Sequence, residues 1–163
     1  MSSVSGLSKQ HRAVAREIIM HGCHMMLNHP SIIHYTQGSL RWSGIDQHKR
    51  ISHGQFPYYG DCSSTVTWLL WNALHLKYGV RDLVNGEHWR AGYTGTIATH
   101  GKRVHHDSNI EVGDLILYGP APTYEHVAIS MGGRKVFSHG SESGPYYLDM
   151  DYRGDRGPTR RFI

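Results

Sequence analysis

The stretch Tyr58-Tyr59-Gly60-Asp61-Cys62-Ser63-Ser64-Thr65-Val66-Thr67-Trp68-Leu69-Leu70-Trp71-Asn72-Ala73-Leu74 joins a glycine-containing loop to a strongly periodic apolar run. Val66, Leu69, Leu70, Ala73 and Leu74 recur at helical spacing, and Trp68 and Trp71 thicken the buried stripe. Gly79 is a natural C-terminal cap, so the spacing predicts a helix from Cys62 to about Tyr78. Cys62 then sits in the first turn, where the positive end of the helix dipole and unpaired backbone amides favour a thiolate over a thiol. A cysteine is ordinarily a small buried hydrophobe. Position at a helix start sets Cys62 apart, whereas Cys23, inside an earlier helix beside Met25 and Met26, keeps the packing role.

Working outward, Ser8 to about Asn28 carries Val14, Ile18, Ile19, Met25 and Met26 among charged residues, the pattern of a helix with one apolar side. Ser8 is its N-cap and Pro30 stops it. Residues 31–60 show no sustained period and read as a long loop with one short strand, a length that marks a functional or mobile segment. Residues 80–110 are polar, with a short helix near Tyr93 to His100. The period then changes: Leu115–Tyr118, Val127–Met131, Lys135–Ser138 and Tyr146–Asp151 are short β-type runs separated by glycine and proline. Helices first and an antiparallel meander second define an α+β fold.

The hairpin around Gly132-Gly133 supplies the partners that a thiol nucleophile needs. If those two glycines form the turn, Met131 faces Arg134 and His126 falls opposite His139, on one face of the sheet, so that one imidazole orients the other.

Composition narrows the possibilities. A chain of 163 residues is the usual size of one domain, and with 39% hydrophobic and 18% charged residues it is ordinary globular usage rather than disorder. The net charge of +4 and pI of about 9.1 arise from scattered Lys and Arg, without a nucleic-acid motif; they favour a polyanionic environment, and on charge alone nucleic acid and an anionic cell wall fit equally. No run is long and apolar enough for a membrane span, and no signal peptide is evident, so stable membrane insertion is not expected. Two cysteines are no disulfide framework, and free thiols are expected.

Gly60-Asp61-Cys62-Ser63-Ser64 with its apolar helix resembles the nucleophile motif of NlpC-type cell-wall peptidases. Gly113-Asp114-Leu115-Ile116-Leu117-Tyr118 resembles that family's strand after a Gly-Asp turn, His126-Val127-Ala128-Ile129 its strand bearing the base, and Val136-Phe137-Ser138-His139-Gly140 its strand bearing the third polar residue. The four blocks occur in the family's order over residues 58–140, and it is the ordered set that is specific. The segment with Tyr35-Thr36-Gln37-Gly38 and Arg41-Trp42 is similar to lysins of bacteriophages that infect actinobacteria.

The resemblance implies a papain-like fold with N-terminal helices packed on a central antiparallel sheet and the nucleophile at the start of a core helix. Residues 1–163 are then one peptidase domain, with a helix and long loop over 1–57 and the catalytic core over 58–163. It further implies hydrolysis of an amide in the peptidoglycan stem peptide, commonly between D-glutamate and diaminopimelate, by an enzyme acting at the cell wall without a cofactor. Cys62 attacks, His126 is the base and His139 its orienter, with Glu142 a weaker substitute. A tyrosine helps the Cys62 amide hold the oxyanion; Tyr35 is the candidate, and Tyr58 and Tyr59 compete. Asp61 either caps the helix or contacts substrate, and Ser63 and Trp42 complete the candidate substrate-binding set. Two features depart from the family pattern: Ser64 replaces the usual glycine, which would crowd the backbone, and the upstream tyrosine lies unusually far from the cysteine.

Three other readings compete. Histidines such as His105 and His106 with Asp107 could ligate zinc in an amidase, although no zinc motif is present. The chain could grip cell wall through Trp42, Trp89 and the tyrosines without catalysis, or direct the same thiol chemistry to a non-wall acyl group.

Overall fold

The computed structural model describes residues 4–86, 88–140 and 144–163. Glu142 lies outside the described residues. Helix α1 spans Lys9–Leu27, and Ser8 caps it by accepting a hydrogen bond from the His11 amide at 3.0 Å. Its inward face is Ala15, Ile19, Gly22, Cys23 and Met26, which makes Cys23 a core residue.

The segment expected as a loop is a chain of short turns instead. A single 3-10 turn at Pro30–Ile32 leads into the first of two tiny strands, and 3-10 turns at Ser39–Trp42 and Ile51–His53 and a short helix α2, Ser43–Asp46, lie between the two. Strands β1, His34–Tyr35, and β2, Tyr59–Gly60, pair in parallel and clip the ends of this segment together. Irregular backbone this long must still satisfy its polar groups, and these local turns do so.

Helix α3, Cys62–Leu70, is buried along its whole length, and the chain widens into a π-helical turn over Trp71–Leu76. Asn72 in that turn accepts from the Ile51 amide at 3.0 Å and donates to the Trp68 carbonyl at 3.1 Å, tying the turn to the upstream segment. Gly79 ends the run with φ +67°, a left-handed conformation that favours glycine. A short helix α4, Thr94–Ala98, follows.

Six strands form the main sheet: β3 (Lys102–Val104), β4 (Leu115–Tyr118), β5 (His126–Gly132), β6 (Lys135–Ser138), β7 (Tyr146–Asp149) and β8 (Arg156–Arg161). Their order is β3-β8-β4-β5-β6-β7, so the expected meander of β4 to β7 is extended by β8, which returns to lie against β4. Leu115, Leu117, Val127, Ile129 and Phe137 face the helices, and Ile116, Tyr118, Ala128, Val136 and Met150 form a smaller cluster on the opposite face. β8 escapes the sequence pattern because Arg-Gly-Pro-Thr-Arg-Arg has no apolar alternation. Two of its arginines are anchored by carboxylates: Arg161 reaches buried Asp114 at 2.7 and 2.9 Å, and Arg156 reaches Asp107 at 2.8 Å, while Arg160 donates to the His100 and Gly101 carbonyls. Asp114 also accepts from the Glu111 amide, the role of a turn residue.

The β5–β6 hairpin departs from the expected register. Gly132 pairs with Lys135, leaving Gly133 and Arg134 at the tip, and an irregularity between Ser130 and Gly132 then pairs Ile129 with Phe137. Carried outward, this register sets Val127 opposite His139 and Ala128 opposite Ser138. His126 and His139 therefore occupy opposite faces of the sheet, because a one-residue slip reverses the facing of a strand.

Helix α1 meets α3 closely at Gly22, where an added Cβ would lie 2.6 Å from both Ile51 Cδ1 and Leu69 Cδ2. Helix propensity favours Gly22→Ala by about 1 kcal/mol, but overpacking of this kind costs roughly 1–3 kcal/mol. We expect the variant to melt several degrees lower; a raised melting temperature would contradict the packing described.

Candidate active site

Asp61 places Cys62 at the start of α3. Its carboxylate accepts from the Ser64 amide at 2.8 Å, and Ser64 Oγ accepts from the Asp61 amide at 2.9 Å, a reciprocal capping box. Ser64, expected to crowd the backbone, closes this cap. Ser63 Oγ donates to the same Asp61 oxygen at 3.1 Å. Asp61 and Ser63 are thus both buried and engaged in the helix start.

Cys62 is 6% exposed. Burial pushes its thiol up to about 11, and the nearby Asp61 charge adds to this; the amides of Val127, Ser63 and Cys62 itself pull the other way without prevailing. Burial and the Asp61 charge therefore outweigh the amides of the helix start at this thiol. The Val127 amide brings the sulfur against the start of β5, the strand on which His126 precedes Val127.

His126 is buried, and its Nε2 lies 2.8 Å from Ser138 Oγ. Ser138 Oγ lies in turn 3.2 Å from the Tyr152 hydroxyl. The imidazole rests between Tyr118 and Tyr152, with ring centroids 5.7 and 6.4 Å away. The side chain that meets His126 Nε2 is therefore Ser138, not His139. The Gly-Gly turn misled the sequence reading because its tip lies one residue later than assumed, at Gly133-Arg134, and the irregularity beside it moves the pairing again.

His139 packs on the helix side. Its Nδ1 lies 3.0 Å from Thr65 Oγ1, and its Nε2 is buried with no hydrogen-bond partner among the described residues. Tyr35 meets the ring edge-on at 5.7 Å. Burial holds this imidazole down to about 4, with only the Asp61 charge acting in the opposite direction.

Among the remaining candidates, Tyr35 is brought opposite Gly60 by the β1–β2 pair, two residues before the cysteine, and its hydroxyl accepts from Gln37 at 3.1 Å. The parallel pair thus overcomes the long separation in sequence. Tyr58 and Tyr59 are exposed, with Lys49 over the Tyr58 ring and His34 against Tyr59. Trp42 is 6% exposed and packs as a core residue under Arg41, so it offers no open binding wall. Trp89 is likewise buried. Asp107, considered as a zinc ligand, is bound through both oxygens by Arg156. Among the described residues no three His, Cys, Asp or Glu side chains converge to hold a metal ion.

This arrangement is a papain-like NlpC/P60 fold. The Resuscitation Promoting Factor Interacting protein RipA, in a form mutated at a cysteine, is similar with TM-score 0.66 and 18% identity over 99% of this chain and 69% of that one. The peptidoglycan hydrolase RipB from Mycobacterium tuberculosis is similar with TM-score 0.64 and 19% identity, over 98% of this chain and 70% of that one. The NlpC/p60 domain of the peptidoglycan hydrolase SagA has TM-score 0.59 and 16% identity, over 90% and 97%. No family model matches the sequence, and no curated protein matches it.

The His139 environment has a consequence for stability. The unfolded chain takes up a proton on this residue near 6.5 and the folded protein only near 4, so its contribution is full above about pH 6.5 and is lost as pH falls toward 4. The loss amounts to roughly 3 kcal/mol. Denaturant midpoints at pH 7 and pH 4.5 should differ less in His139→Gln than in the unaltered protein; equal differences would show that His139 is not buried neutral.

Proposed function

We propose that the protein is a cysteine hydrolase that cleaves an amide bond in the peptidoglycan stem peptide, with Cys62 as nucleophile and His126 as base. The observation that carries this reading is the Cys62 sulfur at the start of a buried helix, against the strand that bears His126. That histidine is held through Nε2 by Ser138, so proton exchange with the thiol falls to Nδ1. The Cys62 proton moves to His126 as the sulfur attacks the scissile carbonyl, forming the carbon–sulfur bond of a tetrahedral intermediate. The Cys62 amide receives the oxyanion, with Tyr35 the candidate second donor because β1 holds it beside Gly60. His126 returns the proton to the leaving amine as the carbon–nitrogen bond breaks, and water then hydrolyses the thioester with His126 again as base.

Similarity in fold to RipB and SagA, both described as peptidoglycan hydrolases, supports the substrate class. The histidine and the glutamate mutated in two RipA structures stand twelve positions apart, as His126 and Ser138 do here, which supports Ser138 as the third member. The D-glutamyl–diaminopimelate bond is the proposed target, and the resemblance around Tyr35 and Trp42 supports a lysin acting at the host cell wall. A positive net charge suits that polyanionic matrix.

Digestion of purified peptidoglycan followed by mass spectrometry of the released fragments tests this reading. We expect new stem-peptide termini with the unaltered protein and none with Cys62→Ala, at unchanged melting temperature. Full hydrolysis by Cys62→Ala would end the thiol mechanism, and an unchanged digest from walls of several chemotypes would redirect the chemistry to another acyl substrate.

A further inference from the structure

We propose that Tyr152 is a positioning residue of the Cys62–His126 pair, its hydroxyl oxygen accepting the hydrogen of the Ser138 hydroxyl so that Ser138 presents an acceptor to His126 Nε2. The inference rests on the proposed role of His126 as base.

The argument begins with the chemistry of the third residue. A carboxylate or a carboxamide oxygen can only accept, so either one fixes the hydrogen of a neighbouring imidazole on the nitrogen that faces it. A serine hydroxyl both donates and accepts and makes no such choice. If Ser138 donates to Nε2, the neutral ring carries its hydrogen on Nδ1, and the nitrogen needed for the Cys62 proton is blocked. The hydroxyl must therefore direct its hydrogen elsewhere. Tyr152 offers the place: its oxygen is 3.2 Å from Ser138 Oγ, on the side of the sheet that carries His126. When the tyrosine's own hydrogen points away from Ser138, the chain of donors runs outward from the imidazole.

The surroundings hold Tyr152 in place. Its ring packs edge-on against Tyr118 at 5.4 Å, and the buried Tyr118 hydroxyl donates to the Met150 carbonyl at 2.7 Å, two residues before Tyr152. Arg153, the next residue, lies over the Tyr118 ring and binds Asp155 and Glu125. The loop after β7 is thereby fixed against the face that carries His126. When His126 becomes an imidazolium both its nitrogens donate, and the outward order lets Ser138 accept without rearrangement.

The test compares the unaltered protein with Tyr152→Phe, which removes one oxygen from a half-exposed ring, and adds Ser138→Asn in both backgrounds. Long-range proton–nitrogen spectra of histidine-labelled protein, recorded where the imidazole is neutral, report which nitrogen of His126 carries hydrogen. We expect hydrogen on Nε2 in the unaltered protein and a shift toward Nδ1 in Tyr152→Phe. The same change should lower kcat on peptidoglycan about tenfold with KM unchanged, the size expected from one hydrogen bond. Asparagine at position 138 can offer its carboxamide oxygen, so Tyr152→Phe should have no effect in that background. An unchanged tautomer in Tyr152→Phe, a shifted tautomer with full turnover, or an equal loss with asparagine at 138 each overturns the proposal. The spectra need no substrate, so a protein inert toward peptidoglycan would refute the functional reading while the tautomer still decides the role of Tyr152.

Discussion

A thiol held out of water beside a carboxylate is disfavoured as a thiolate, and the chemistry proposed for this protein turns on that constraint. Cys62 occupies the position in which a helix start would favour a thiolate, yet burial and the Asp61 charge outweigh the amides that point at the sulfur. Asp61 cannot simply be dispensed with, because its capping box with Ser64 fixes the start of α3 and hence the place of the cysteine. The residue that positions Cys62 also opposes its ionisation. In the proposed mechanism reactivity comes from a base that removes the proton as the sulfur attacks, and the strand that meets the sulfur begins with His126.

The sheet determines which histidine can serve. Pairing Ile129 with Phe137 sends His126 and Ser138 to one face and His139 to the other. His139 consequently supports the helix, binding Thr65 and packing under Tyr35, while the His126 ring is gripped by two hydroxyl-bearing side chains. The two histidines, thirteen positions apart, have opposite electrostatic fates: His139 is kept neutral by burial, while the proposed role of His126 requires it to gain and lose a proton. A hydroxyl is a weaker orienter than a carboxylate, which is why the surroundings of Ser138 matter as much as Ser138 itself.

Much of the framework was legible because it follows from period and punctuation. Ser8 capping α1, the apolar run after Cys62, and the bounds of β4 and β6 all appear as read from residue type. What was not legible depends on contacts distant in sequence. β8 carries three arginines and a proline, and its strand is held by contacts distant in sequence: Asp107 meets Arg156, Asp114 meets Arg161, and the His100 and Gly101 carbonyls meet Arg160. The parallel pair of β1 and β2 involves two residues from each strand, too few to leave a pattern, yet it brings Tyr35 to Gly60. The hairpin register failed for a sharper reason: two adjacent glycines, both at positive φ, allow the turn to close at either of two positions. Ser138, one residue before the histidine that drew attention, was hidden by that ambiguity, and Tyr152 by its place on a loop.

The rate at which iodoacetamide alkylates Cys62 tests the central claim most directly, since it reads the proton demand of the thiol without any substrate. Measured at neutral pH in the unaltered protein, in His126→Ala and in His139→Gln, the rate should fall at least about tenfold on loss of His126, to that of a thiol with no base. It should stay near its original value on loss of the His139 imidazole. Equal rates in the unaltered protein and His126→Ala, or a fall confined to His139→Gln, would contradict the account.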